Sequence, residues 1–165
     1  MRDSHIGHDV VKGAIAGAAA TWLMGQFTAW MYEREDREAR EREDRARGGI
    51  AAYERAAEKG ADLLNVQLSE KARGQVGNAI HWATGVGAGI TYALLRRRWD
   101  GIAAGKGLPF GTAFFLAVDE LVNPLLGFTP GPAAFPWQAH ARGLGGHLTF
   151  GLTTALVLDG LDRVA

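Results

Sequence analysis

Four stretches of the chain are apolar over about the length that crosses a bilayer. The hydrocarbon core of a membrane needs about 20 mostly apolar residues per helix. On this basis we predict spans over 10–32, 77–95, 107–128 and 143–161. A soluble helical protein with long core helices is the alternative, but apolar runs of this length fit a membrane better. The predicted fold class is therefore all-α, a four-helix transmembrane bundle forming one domain over residues 1–165.

The predicted spans contain much Gly, Ala and Thr where a single membrane anchor would contain Leu and Ile. Small residues let helix backbones approach one another inside a membrane. Three spans have glycines four residues apart: Gly13 and Gly17, Gly85 and Gly89, and Gly107 and Gly111. We expect the spans to pack together, and we expect the chain to form a homo-oligomer through its Gly-lined faces.

Charged residues are concentrated after the first span, in "YEREDREAREREDRAR" (32–47). Five acid-then-base pairs lie four residues apart: Glu33–Arg37, Asp36–Arg40, Glu38–Arg42, Glu41–Arg45 and Glu43–Arg47. This order stabilises a helix. We therefore expect the first span to continue as one solvent-exposed helix up to Gly48–Gly49, projecting about 20 Å beyond the membrane.

The predicted helical extension, residues 33–47, is called the charged arm below. An amphipathic segment then leads back to the second span, so that residues 33–76 separate spans one and two. The arm is either a solvated spacer, which we prefer, or a contact surface for a protein partner.

The overall composition excludes several functions. The formal net charge is zero, whereas a nucleic-acid-binding protein has a basic face. The chain has no cysteine, which excludes disulfides and thiol chemistry. No enzyme motif is present, because "GVGAG" (85–89) lies inside a span, where it indicates helix packing. We therefore predict neither an enzyme nor a cofactor.

Polar residues of three spans should meet in one leaflet. Spans one and three leave the membrane on the side where spans two and four enter it. His81 and His147 lie about one turn inside their spans, and Glu120 and Asn123 lie in the last turns of span three. All four should therefore lie about 5–12 Å below the same membrane surface.

A carboxylate at this depth is costly unless it is neutral, paired or facing water. We expect Glu120 to find its partner among the other three cluster residues. Asp119 is about 100° around the helix from Glu120, so we expect it to face a different groove. The loop over this end of the bundle, residues 129–142, contributes Trp137 and His140.

Three hypotheses compete for the polar cluster. In the first, its side chains bond across helices and fix their register. In the second, His81 or His147 titrates against Glu120, which makes the site proton- or ion-responsive or conducting. The third, a metal or cofactor site, ranks last because the candidate His and Glu ligands come from different helices without a ligand spacing. A scaffold acting through helix association and the charged arm is the alternative function.

The segments "GNAIHWATGVGAGITYALL", "PLLGFTP", "FPW" and "GHLTFGL" resemble, in this order, the YagU-like family of small bacterial inner-membrane proteins. The matching positions are His81, Trp82, Pro124, Gly127, Pro130, Pro136, Trp137, Gly146 and His147. The resemblance implies a multi-pass protein of the bacterial cytoplasmic membrane. It implies no activity, and the charged arm departs from the family's pattern.

Overall fold

The computed structural model describes residues 3–164, and these are helical with no strand among them. The first half contains α1 (Asp3–Tyr32), α2 (Arg37–Arg47), α3 (Ala52–Leu63) and α4 (Glu70–Arg96). The all-α prediction is therefore confirmed. Residues 1, 2 and 165 of the predicted domain lie outside the described part.

The second half is less regular. It begins with α5 (Asp100–Ala103), a 3-10 turn (Ala104–Gly107) and α6 (Leu108–Phe115). A π-helical segment (Leu116–Val122) and the short α7 (Asn123–Leu125) follow without a break. After a 3-10 turn (Pro132–Ala134), α8 (Trp137–Val164) completes the fold.

Glycines allow the long helices to cross at backbone contact. A Cβ added at Gly17 would lie 2.7 Å from the carbonyl oxygen of Gly85, so α1 and α4 touch there without side chains between them. Gly107 and Gly111 pack in the same way against the backbone of α8. The predicted packing of the spans is thus found within one chain. Because these Gly-lined faces are used internally, they are not free for the self-association that we expected of them.

Ion pairs connect the helix ends at one end of the bundle. Lys12 binds Asp162 at 2.9 Å, and Arg96 bonds to Asp159 at 3.1 Å and also contacts Asp162. Arg97 pairs with Asp9 of α1. These contacts show that α1 and α8 run antiparallel and that α4 ends beside them.

The charged arm folds back onto the bundle, so the expectation of one continuous projecting helix is wrong. α1 ends at Tyr32, and α2 starts anew with Asp36 as its N-cap, accepting a bond from Ala39 N at 2.7 Å. This backbone hydrogen bond lowers the pKa of Asp36. The predicted end of the arm is confirmed, since Gly48 has a φ of 64° and Gly49 one of 73°.

A long-range contact causes this fold-back, and the helix propensity of the arm gives no indication of it. Glu35 and Glu43 turn inward and bind Arg142 at the start of α8. Three of the expected pairs within the arm do form: Glu38–Arg42, Glu43–Arg47 and, at 4.0 Å, Glu41–Arg45.

Among the described residues, one continuous helical stretch, Gly101–Leu125, is long and apolar enough to cross a membrane. Only 17% of its most apolar window is buried inside the chain. A core helix of a soluble protein would be mostly buried, so this stretch has an outward apolar surface that its own chain does not cover.

Candidate functional site

A cavity of about 210 Å³ lies at the arm end of the bundle. We call it the polar cavity. Eight polar side chains line it, besides Arg47: Tyr53, His81, Asp119, Glu120, Asn123, Thr129, His140 and His147. The structure thus places all four residues of the predicted cluster around one space, together with His140. Their function stays a prediction.

Glu120 is paired with His140. Its Oε1 lies 2.6 Å from Nδ1 of the imidazole, and the other ring nitrogen, Nε2, lies 3.1 Å from the carbonyl oxygen of Pro132. The expectation that Glu120 pairs with His81, His147 or Asn123 is therefore wrong. Helix α8 begins at Trp137, earlier than the predicted span, and this brings His140 within reach.

The partners of His140 determine where protons must be. The Pro132 carbonyl only accepts hydrogen bonds, so Nε2 carries a hydrogen. The contact between Nδ1 and Glu120 then requires one more proton, either on the ring or on the carboxyl group. In both cases the pair holds one shared proton and has no net charge. Without that proton, the lone pair of Nδ1 would face a carboxylate.

His147 has a different environment. Its Nδ1 lies 2.9 Å from the carbonyl oxygen of Gly143, which assigns a hydrogen to that nitrogen. The ring is 3% exposed and packs against Phe114 and Phe115, with centroid distances of 4.9 and 5.6 Å. His147 is thus a satisfied core histidine on the cavity wall.

The π-helical segment brings both neighbouring acids to the cavity. Asp119 and Glu120 both line it, so the expectation that they face different grooves is wrong. Pro124 has no N–H to donate to the carbonyl four residues earlier, and the chain winds here with i→i+5 spacing. This wider turn reduces the angle between consecutive side chains. Oδ2 of Asp119 lies 3.7 Å from Nδ1 of His147.

Asn123 helps to end this helix. Its backbone carbonyl accepts a bond from Phe128 N at 2.8 Å, and Gly127 has a φ of 67°. This is a Schellman motif, which ends a helix with a left-handed residue. The side chain of Asn123 remains on the cavity wall, and the residue is 7% exposed.

Tyr53 is a cavity residue that the sequence did not single out. Helix α3 packs along the first half of α4, and this places the Tyr53 ring 4.9 Å from that of His81. Burial, together with the nearby Asp119, raises the pKa of Tyr53 to about 12. Its phenol is therefore neutral at physiological pH and can both donate and accept a hydrogen bond.

Trp137 does not lie over the cluster as expected. It is 71% exposed at the start of α8 and lines a separate surface groove with Trp30. Of the two loop residues that we predicted, only His140 borders the polar cavity.

Metal binding finds no support in the part of the chain that the structure describes. Within residues 3–164, no group of three or more His, Cys, Asp or Glu side chains is arranged to hold a metal ion.

Comparison with known proteins places this site in a family. Residues 58–156 match the family described as "Protein of unknown function (DUF1440)". The chain belongs to this family. The YagU-like resemblance of the sequence is consistent with it. No curated protein and no solved structure matches the chain.

The DUF1440 match covers the second half of α3 and the chain up to late α8, including His81, Glu120 and His140. Tyr53 and the charged arm lie before it. In this DUF1440 protein, the cavity is thus closed in part by a segment outside the matched residues.

Arg142 attaches that segment to the bundle. Its Nη2 donates to Oε1 of Glu43 at 2.6 Å, its Nη1 bonds to Glu35, and its guanidinium lies 4.9 Å above the Tyr32 ring. Burial opposes the charged form, but the hydrogen bonds to Glu43 and Glu35 outweigh it and raise the pKa of Arg142. The arm is therefore held by a buried charge cluster, one helical turn from Arg47 at the cavity.

Proposed function

We propose that this chain is a multi-pass protein of the bacterial cytoplasmic membrane, with four spans and a proton-responsive cavity in one leaflet. The length of the uncharged segments in α1 and α4 supports the proposal that these helices span a bilayer. No Asp, Glu, Lys or Arg occurs over 20 residues between Lys12 and Glu33, or over 22 residues between Arg73 and Arg96. At the rise of an α-helix these bands are about 30 and 33 Å long, which matches the hydrocarbon core of a bilayer.

The distribution of side chains across the bundle also supports a lipid environment. Of the ten buried apolar residues in the described part of the chain, six are alanines, while large side chains such as Ile15, Trp22 and Leu156 are at least half exposed. A soluble monomer rarely exposes so many large apolar groups. In a bilayer, the same surface would contact lipid chains, and the small residues would mediate helix packing.

The single observation that carries the proton function is the contact between Glu120 and His140. These groups lie on different elements, the π-helical segment and α8, so the shared proton ties the two elements together. Loss of this proton leaves a carboxylate against a lone pair. We propose that the cavity then hydrates and the π-helical segment moves away from α8.

The packing of the helices beyond the cavity favours a proton-responsive site over a proton-conducting one. Towards the opposite end, α1 meets α4 and α6 meets α8 at backbone contact, with Gly17 against Gly85 and Gly111 against His147. A proton path through the chain would need a gap at these crossings. The cavity therefore serves as a site that is reached from one side.

Histidine NMR tests the shared proton. With ¹⁵N-labelled histidine in the full chain in lipid nanodiscs, we expect His140 to show a strongly downfield proton at Nδ1 that disappears as the pH rises. Glu120→Gln should abolish this resonance, because an amide cannot bind the proton and can donate to Nδ1 instead. Asp119→Asn is the matched control and should retain it. An unchanged His140 spectrum in Glu120→Gln would disprove the proposal.

A scaffold function through the charged arm remains the second proposal. It is supported by the outward side of α2, where the side chains of Arg37 and Glu38 are 88% and 77% exposed. Self-association and a protein partner at residues 33–47 are likewise proposals. Deleting the arm should remove crosslinked partners if that surface recruits them, and unchanged crosslinks would rule it out.

A further inference from the structure

A basic groove of about 440 Å³ lies beside the polar cavity, between the end of α2, the middle of α3 and the loop after α7. Its charged lining consists of Arg45, Arg47, Arg55 and Lys59. Among the residues that the structure describes, no Asp or Glu lines it. Gly127, Phe128, Thr129 and Pro130 complete the groove.

The cations of the groove are not fully neutralised by nearby carboxylates. Glu58 is shared by Arg55 and Arg73, at 3.3 and 2.8 Å. Glu43 is likewise shared by Arg47 and Arg142. Arg142 also has Glu35, so charge is balanced around Glu43, and the positive surplus lies at Arg55 and Arg73, which share the single carboxylate of Glu58.

The other two cations have still weaker acidic contacts. The ammonium of Lys59 donates to the carbonyl oxygen of Leu126 at 2.8 Å, and this contact leaves its charge uncompensated. Arg45 reaches Glu41 only at 4.0 Å, and its side chain is 67% exposed. Both groups are free to turn toward a ligand in the groove.

We propose that the basic groove binds the phosphate group of an anionic ligand, either a lipid headgroup or a soluble phosphate. Guanidinium groups bind phosphate oxygens through parallel hydrogen bonds, and the lysine adds a point charge. The groove lies at the arm end, where the uncharged bands of α1 and α4 finish, so it would be level with lipid headgroups. Arg47 borders both the groove and the polar cavity, so an anion bound here would touch a wall of the proton site.

Two probes test this proposal and distinguish the two possible sources of the phosphate group. Inorganic phosphate is titrated calorimetrically into the full chain in phosphatidylcholine nanodiscs. Native mass spectrometry of the chain from nanodiscs that also contain phosphatidic acid measures the retained anionic lipid. Saturable phosphate binding indicates a soluble source, and selective retention of phosphatidic acid indicates a lipid source; either result supports the site.

Variants of single cations, two on α2 and one on α3, make the test specific. We expect Arg45→Gln to weaken binding of whichever probe binds the parent protein by about tenfold, because one charge-assisted contact is lost. Arg37→Gln removes an exposed cation of the same helix that does not line the groove, and it should bind as the parent does. Lys59→Arg, which keeps the charge, should bind, whereas Lys59→Gln should not. Binding of neither probe, or an equal loss in Arg37→Gln and Arg45→Gln, would overturn the proposal.

Discussion

Replacing Arg142 by Met is expected to destabilise the protein by roughly 3–5 kcal/mol, the usual cost of removing one member of a buried charge cluster. The substitution leaves the carboxylate of Glu35 without a cation and that of Glu43 with Arg47 alone, although these two side chains are only 8% and 3% exposed. They can regain water only if α2 separates from α8. The free energy of unfolding should fall, and protease should cut the chain between α1 and α3 faster.

A control at an exposed arginine of α2 distinguishes this effect from a general loss of charge. Arg37 pairs with Glu41 at 2.6 Å, but its side chain is 88% exposed. Arg37→Met should therefore change stability little, since ion pairs at a surface contribute little. Adding Glu43→Leu to Arg142→Met should restore part of the loss, because apolar side chains can replace a buried ion pair. Equal stability of the two single variants would show that the arm is not held by Arg142.

Gly89→Ala is expected to cost about 1–3 kcal/mol, the range for overpacking a tight core. An added Cβ would lie 2.5 Å from both the carbonyl oxygen of Gly13 and Cα of Gly17. Both obstacles are backbone atoms, so α1 and α4 would have to move apart. Unfolding of the purified protein in a graded detergent series measures the effect.

Gly87 provides the matched control two residues away on α4. A Cβ added there meets nothing within 4 Å. Gly87→Ala should therefore be neutral or stabilising by about 0.5–1 kcal/mol, because alanine has the higher helix propensity. If both substitutions lowered stability equally, the helix crossing would not be at backbone contact.

Local pattern in the sequence predicts the helices and part of their packing. Glycines four residues apart predict close crossings because they depend only on neighbours along one helix, and Gly13 and Gly17 do meet α4. Chain direction alone predicts that His81 and His147 share one end of the bundle. Both features follow from helix geometry without knowledge of any contact.

The contacts that build the site join residues far apart in the chain. Arg142 and Glu43 are 99 residues apart, and the favourable pair spacing within the arm gave no sign of this competing partner. The π-helical winding before Pro124 changes the directions of the Asp119 and Glu120 side chains, so the prediction from regular α-helical geometry gave the wrong directions. Tyr53 reached the cavity only because α3 packs on α4.

The bilayer location is the claim on which the other proposals depend, and cysteine labelling tests it most directly. Because the natural chain has no cysteine, single cysteines can be introduced without a background signal. Ile15 lies on the uncharged band of α1, and Leu156 lies on α8 in the uncharged stretch between Arg142 and Asp159; each is 50% exposed, while Arg37 lies on the arm. All three positions are accessible to water if no bilayer surrounds the bundle.

In intact nanodiscs, a charged maleimide should label Arg37→Cys but neither Ile15→Cys nor Leu156→Cys, and all three should react after denaturation in detergent. This result would place the exposed apolar faces in lipid. Labelling of Ile15→Cys and Leu156→Cys at the rate of Arg37→Cys before denaturation would contradict it, because those faces would then contact water.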